Sequence, residues 1–233
     1  MGKQLCEELV AKDQIPRFKR YVEVQNDLLA TGKSLVLAHS YEEACERFKR
    51  VVTNAEGLWD DACTLFLRGR CPTALAISIT CLEEVGKIGV ARLQLVLEEE
   101  ARRCGVQLTQ ARPEPRKGHP FYSHTQKLLL AAGAGALVNS RLDRILGLSN
   151  VVDFLDRAER GKIERLRQSC LYSDVEADQL LLPSERIDRT RAEFYVVLAG
   201  ELLAEVAGFE PPEWERLLAR VQQFEESIGH PYK

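Results

Sequence analysis

The stretch "ALAISITCLEEVGKIGVA" (residues 74–91) carries three charged side chains in the middle of an otherwise apolar run. Its apolar residues occupy much of the circumference of a helix, which predicts a central helix in a bundle. Glu83, Glu84 and Lys87 fall on one side of that helix, because successive residues are turned by about 100°. An unpaired buried charge costs several kcal/mol, so this trio requires partners.

Two interpretations of the trio fit its spacing. Glu83 and Lys87 are four residues apart, and Glu84 and Lys87 three, so an ordinary surface ion pair would contribute only about 0.3–0.5 kcal/mol. Gly86 and Gly89 favour a different interpretation, since a glycine inside a helix costs about 1 kcal/mol relative to alanine. A second backbone packed closely against this side of the helix would compensate for that cost.

Length and composition indicate a globular protein. The chain has 233 residues, 45% of them hydrophobic, and a formal net charge of −3, which argues against general binding of polyanions but allows a local basic surface. The seven cysteines include no Cys-x-x-Cys pair, which is typical of reduced packing groups in a cytoplasmic protein. No uncharged apolar segment reaches the roughly 18 residues of a membrane span. We expect a single helical domain over residues 1–233, with its core motifs in about 40–207.

Helical periodicity dominates the chain, including its first forty residues. Capping-box signatures at Ser40 and Glu43, and at Ser123 and Gln126, predict the start of two helices. The segment "CLYSDVEADQLLLP" (residues 170–183) breaks the pattern and is either a short hairpin or an irregular loop. The predicted fold is therefore an all-α antiparallel helical bundle with a short irregular or hairpin insertion. The predicted helices cover about 40–69, 72–104, 123–147, 149–168, 184–207 and 212–228.

A second polar cluster lies in "GHPFYSHTQKLLLAAGAGAL" (residues 118–137), where His124 and Lys127 share the first turn of a predicted helix. Histidine titrates near neutral pH and can act as a general acid or base. A nearby lysine could hold a phosphate, and a helix N-terminus attracts anions. The alternative is that His124 only caps the helix or packs against it. No spacing in the chain indicates a metal site.

Weaker candidates follow in the basic segment before the predicted hairpin. Arg165 and Arg167 lie on a helix that also carries acids, so a solvated helix is the default interpretation. Tyr172 and Asp174 come directly after it and form either a docking point or only a structured turn. Together these four residues are the predicted RNA- or partner-binding positions.

The chain resembles the AbiV family of bacterial abortive-infection proteins in three places, over roughly residues 50–205. The first is the opening helix, which is similar to that family's Ser-x-x-x-x-Glu-Glu-x-Gly-Lys helix. The second, "SHTQKL", is similar to its His-x-x-Lys element, and the third is "RLRQSCLYSDVEADQLLLPSE" with its Leu-Tyr-x-Asp turn. The order and separation of the three parts carry the resemblance.

The resemblance implies a cytoplasmic anti-phage protein that acts on host translation or RNA. It also implies kinship with the all-α HEPN superfamily, many of whose members are dimeric, metal-independent ribonucleases. The implied partners are a second copy of the chain, an RNA or ribosomal target and a phage-encoded activator, with no membrane and no cofactor. The superfamily signature is an arginine followed by four to six residues and a histidine on a helix. Arg112 and His119 satisfy that count, but the intervening prolines exclude a regular helix, so we interpret the match as accidental.

Two functions remain open at the level of sequence. In the first, a ribonuclease toxin, His124 is the acid/base for attack by a ribose 2′-hydroxyl. Lys127 and Lys87 stabilise the charge on the phosphate, and Glu83 or Glu84 orients His124 or Lys87. In the second, a binding or sensor module without catalysis, the same residues form a buried network that fixes the helix register. The distances from His124 to Glu84 and Lys87, and whether solvent reaches these side chains, decide much between the two functions.

Overall fold

A computed structural model describes residues 41–105, 123–138, 148–176, 178–207 and 211–229. This part of the chain forms a bundle of α-helices with one two-stranded antiparallel sheet, which confirms the predicted all-α class. The elements in chain order are α1 (Tyr41–Leu67), α2 (Cys71–Arg103), α3 (His124–Val138), α4 (Leu148–Glu159), α5 (Lys162–Ser169), β1 (Asp174–Glu176), β2 (Gln179–Leu181), α6 (Pro183–Arg186), α7 (Arg189–Ala207) and α8 (Pro211–Ser227).

Helix α2 lies at the centre of the bundle, as its sequence predicts. It packs against α1, α3, α5 and α7. Five of its described apolar side chains are fully buried and lie on more than one side of the helix: Leu75, Ile79, Leu82, Val85 and Ile88. A helix that is apolar over most of its circumference is stable only when neighbours cover it from several directions. The described helices share one hydrophobic core, while the single domain over residues 1–233 stays a prediction.

Helix α7 is the second buried helix, and α1 is joined to it by an internal hydrogen bond. The indole nitrogen of Trp59 on α1 donates to the backbone carbonyl of Val196 on α7 at 3.1 Å. Helix α8 covers the other side of Trp59, where Phe224 meets the indole edge to face. Arg220 on α8 adds ion pairs to Glu56 and Asp60 on α1. This packing holds α1, α7 and α8 together beside the central helix.

Two of the predicted helices are each divided in two. The predicted helix over 149–168 is interrupted between α4 and α5, where Gly161 adopts a left-handed backbone conformation with φ of +64°. The predicted helix over 184–207 is interrupted after α6, where Ile187 is extended and Asp188 accepts a hydrogen bond from the Arg191 amide at 2.7 Å. Asp188 therefore caps the start of α7. The prediction from hydrophobic periodicity did not include this cap, because the apolar pattern continues through it.

The insertion near 170–183 is a hairpin rather than an irregular loop. Val175 pairs with Leu180 across the two strands, and Asp178 takes a positive φ of 64° in the turn. On one face, Arg186 of α6 forms ion pairs with Asp174 at 3.5 Å and with Glu176 at 2.8 Å. Because alternate residues of a strand point to opposite faces, Val175 and Leu180 lie on the other face, and both are exposed.

The described cysteines form no disulfide, and Cys71, Cys81 and Cys170 are buried. The Cys81 thiol donates to the backbone carbonyl of Ala55 at 3.3 Å, and burial raises the pKa of Cys170 to about 11. Both features fit the predicted role of cysteine as a small packing group. Among the helices that the structure describes, none combines the length and apolar character needed to cross a membrane.

Replacement of Gly161 should test the break between α4 and α5. A Cβ at this position meets no atom within 4 Å, so the only penalty is the positive φ. We expect Gly161→Ala to lower the free energy of unfolding by about 1–2 kcal/mol, and Gly161→Asn to lower it less, because asparagine tolerates this conformation. Chemical denaturation measures both values. Equal stability of Gly161→Ala and the parent would show that the break does not depend on glycine.

Candidate acid/base site

The site begins with the close approach of α2 and α3 at Gly86. A Cβ built on Gly86 would lie 2.0 Å from the backbone oxygen of Lys127, well inside van der Waals contact. The expected approach of a second backbone is therefore found at Gly86. It is not found at Gly89, where a Cβ would meet no atom within 4 Å. Only a residue without a side chain allows α3 to cross α2 at this distance.

The close approach brings Glu83, one turn before Gly86 on α2, against the first turn of α3. The Glu83 carboxylate lies 2.8 and 2.7 Å from Nδ1 of His124, through its Oε1 and Oε2. The Nζ atom of Lys127 donates to Oε2 of Glu83 at 2.7 Å. The two polar clusters that the sequence predicts thus meet in space, and one carboxylate joins the histidine to the lysine.

Burial differs sharply between the three side chains. Glu83 and Lys127 are buried, with 6% and 7% of their side chains exposed, whereas 49% of the His124 side chain is exposed. A buried carboxylate and a buried ammonium group require each other, because removal of either leaves an uncompensated charge. His124 is the member of the group that solvent or a substrate can reach.

The geometry also assigns roles to the two ring nitrogens of His124. A carboxylate beside Nδ1 selects the tautomer in which Nδ1 carries the proton and donates it. The second nitrogen, Nε2, then holds the free lone pair, and no described residue forms a hydrogen bond to it. A carboxylate at Nδ1 of a half-exposed histidine is an arrangement that can serve general acid/base catalysis.

Glu84 and Lys87 form a separate ion pair. Nζ of Lys87 lies 2.5 Å from Oε1 of Glu84, and both side chains are largely buried. The ion pair that the three-residue spacing allows, between Glu84 and Lys87, is therefore formed. Glu83 is instead paired across to α3, and no hydrogen bond or ion pair links Glu84 to His124 among the described residues. Of the two predicted orienting acids, Glu83 is the one that contacts the histidine.

Helix α5 adds Glu164, a carboxylate that the sequence did not single out. One oxygen of Glu164 lies within 4.8 Å of the ligand atoms of Glu83 and His124. Glu164 accepts two hydrogen bonds from Arg167, at 2.7 and 2.9 Å. These bonds lower the pKa of the Glu164 carboxyl and raise the pKa of Arg167. The Glu-x-x-Arg spacing is visible in the sequence, but its position beside His124 depends on the break at Gly161.

The three groups Glu83, His124 and Glu164 are of the kind that bind divalent transition metals. A cation at this place would compete with Lys127 for Glu83 and with Arg167 for Glu164. Each carboxylate already has a cationic partner within 2.7 Å, so the charge of the cluster is balanced by the chain itself.

The predicted RNA- or partner-binding residues fall into two places. Arg167 lies on the side of α5 that carries Glu164, and it belongs to the cluster around His124. Arg165, Tyr172 and Asp174 line a groove of about 850 Å³ elsewhere on the surface. Arg112 and His119, the pair interpreted as an accidental signature, lie outside the described residues.

Comparison with known protein families identifies the family of this chain. The fold is a helical bundle of HEPN type, and the sequence pattern of the AbiV family matches residues 43–204. The match covers more than half of the chain, so the protein belongs to the AbiV family of HEPN proteins. Searches of curated proteins and of solved structures found no match.

Substitution of Gly86 should test whether the close helix crossing builds the site. A methyl group at Gly86 would clash with the Lys127 backbone and push α3 away from α2. We expect Gly86→Ala to lower the free energy of unfolding by about 1–3 kcal/mol or more. The matched control is Gly89→Ala on the same helix, which meets no atom and should stabilise by up to about 1 kcal/mol. Equal effects of the two variants in thermal unfolding would contradict this geometry.

The ion pair between Glu164 and Arg167 should make stability depend on pH. Since the folded-state pKa of Glu164 is lowered, the pair stabilises the protein above the ordinary glutamate pKa of 4.5, and this contribution is lost as pH falls through the lowered value. We expect Glu164→Gln to cost about 0.5–1 kcal/mol at pH 7 and to weaken the loss of stability on acidification. Urea denaturation from pH 3 to 7 measures this, with exposed Glu46→Gln on α1 as control. If stability depends on pH in the same way in Glu164→Gln and Glu46→Gln, the contribution of the Glu164–Arg167 pair is refuted.

Proposed function

We propose that this AbiV-family protein is a cytoplasmic anti-phage protein that acts on the RNA or the translation machinery of its host. The proposed activity is metal-independent endoribonuclease cleavage, with His124 as the general acid/base. One observation carries the proposal: a buried carboxylate, Glu83, holds Nδ1 of a half-exposed histidine. The half-exposed ring of His124 can be reached by a substrate, as a general acid/base must be.

The proposed reaction starts at the accessible nitrogen of His124. Nε2 removes the proton from a ribose 2′-hydroxyl, and the 2′-oxygen then attacks the adjacent phosphorus. The bond to the 5′-oxygen breaks, and the protonated histidine returns a proton to the leaving oxygen. Glu83 stabilises the imidazolium that forms between these two steps, as the carboxylate of a catalytic triad does.

The cations of the site have different proposed roles. Lys127 is buried and bound to Glu83, so it fixes the position of the carboxylate rather than touching the substrate. Lys87 and Arg167 are the candidates for stabilising negative charge on the phosphate, each held by an acid three residues away in sequence. A second copy of the chain and a phage-encoded activator, implied by the family, belong to this proposal as partners.

Substitution of His124 is the direct test. His124→Ala leaves the buried pair of Glu83 and Lys127 in place, so we expect less than about 1.5 kcal/mol of destabilisation. Purified protein with tRNA or ribosomes, in the presence of EDTA, should release cleaved RNA. The variant should be slower by roughly 100-fold or more, the usual contribution of a general acid/base. A phage-plating assay on cells that carry each protein measures the loss of defence in parallel.

The second candidate function is a binding or sensor module without catalysis. The mutual neutralisation of Glu83 and Lys127 inside the bundle favours it, because a buried pair can fix the register of two helices. The same experiment separates the two functions. A folded His124→Ala variant that keeps full defence, together with intact RNA at high protein concentration, would support the sensor and remove the ribonuclease.

A further inference from the structure

A basic groove runs along α5, beside the cluster that contains His124 and Glu164. Lys162, Arg165 and Ser169 project from one side of this short helix, whereas Glu164 and Arg167 project from the other, as a turn of 3.6 residues dictates. The groove has a volume of about 850 Å³ and is bordered by the hairpin and by the start of α7. We call it the α5 groove.

Most of the positive charge in the α5 groove is not neutralised. Its two carboxylates, Asp174 and Glu176, both pair with Arg186. The other three cations, Lys162, Arg165 and Arg191, have no carboxylate within 4 Å in the part of the chain that the structure describes. For a chain with a net charge of −3, three such cations in one groove create a local positive potential that attracts an anion.

An exposed aromatic ring lies among these cations. Tyr172 lines the α5 groove, and 68% of it is exposed. Tyrosine usually buries much of its ring, so a ring left open beside unpaired cations is available for stacking. Single-stranded nucleic acids are bound by this combination, in which cations follow the phosphates and aromatic rings stack on the bases. The hydroxyl group of Ser173 adds a hydrogen-bond donor for phosphate oxygens, whereas that of Ser169 already donates to the Leu166 carbonyl at 2.8 Å.

We propose that the α5 groove binds single-stranded nucleic acid, with Lys162, Arg165 and Arg191 on the phosphates and Tyr172 stacked on a base. The groove and the His124 cluster adjoin along α5, since Gln168 lines the groove and donates a hydrogen bond to Glu164 at 3.1 Å. A bound RNA strand would therefore be positioned for cleavage around α5. That second step rests on the proposed function, whereas binding in the groove does not.

Fluorescence anisotropy with labelled 12-nucleotide RNA and DNA of one sequence tests the groove. The His124→Ala background prevents any cleavage during the measurement. We expect Arg165→Glu with Arg191→Glu to weaken binding at least 10-fold and to reduce the salt slope by roughly 1.4, the value for two phosphate contacts. Tyr172→Ala should weaken binding by roughly 5- to 150-fold, the range for one stacked base, while Tyr172→Phe should keep it.

The matched control reverses two charges outside the groove. Lys49 and Arg50 are exposed cations on α1 that also have no ion pair among the described residues, so Lys49→Glu with Arg50→Glu changes the net charge by the same amount. This variant should bind within about twofold of the parent. Equal losses in the control and the groove variants would overturn the proposal, because binding would then follow net charge alone.

Two further results would overturn the groove proposal without contradicting the proposed ribonuclease activity. One is the absence of binding to either strand at low salt. The other is full displacement of the strand by an equal concentration of a mononucleotide, which would define a small-anion site. Binding of RNA and DNA with similar affinity, or of RNA alone, supports the groove. Failure of the ribonuclease would show instead as intact RNA in a protein whose groove binds normally.

Discussion

The contact between α2 and α3 at Gly86 is the constraint on which the described site depends. The two backbones approach so closely that the carbonyl of Lys127 occupies the space of a side chain at Gly86. At this separation the first turn of α3 can reach Glu83, and one buried carboxylate satisfies both Lys127 and His124. The cost of burying Glu83 and Lys127 is offset only because the crossing places them within hydrogen-bond distance.

The sequence predicted most of the fold because its signals are local. The helical spacing of residues 74–91 and the turn-rich segment 170–183 each determine their own element, and both predictions are confirmed. The helix breaks at Gly161 and Ile187 were not predicted. Apolar residues keep a helical spacing across each break, although the backbone leaves the helical conformation there. Periodicity reports which residues are buried and is insensitive to a change of helix direction.

The candidate site was predictable in its residue types but not in its pairing. By spacing alone, Lys87 could pair with either Glu83 or Glu84. The crossing of α3 decides the outcome, because it brings Lys127 to Glu83 and leaves Glu84 to Lys87. Glu164 could not be found from the sequence, because its distance to His124 depends on how α5 turns after Gly161. Contacts between residues 40 or 80 positions apart follow from packing, which short motifs do not encode.

The hairpin that borders the α5 groove packs few side chains against the hydrophobic core. Both strands are three residues long, most of their side chains are exposed, and their anchor among the described contacts is Arg186. Elements with few buried contacts open at a small fraction of the global unfolding free energy, so the amides of this hairpin are expected to exchange with solvent early. Any molecule that rests against Arg186 or Tyr172 would slow that local opening, and the wall of the groove would become more rigid once occupied.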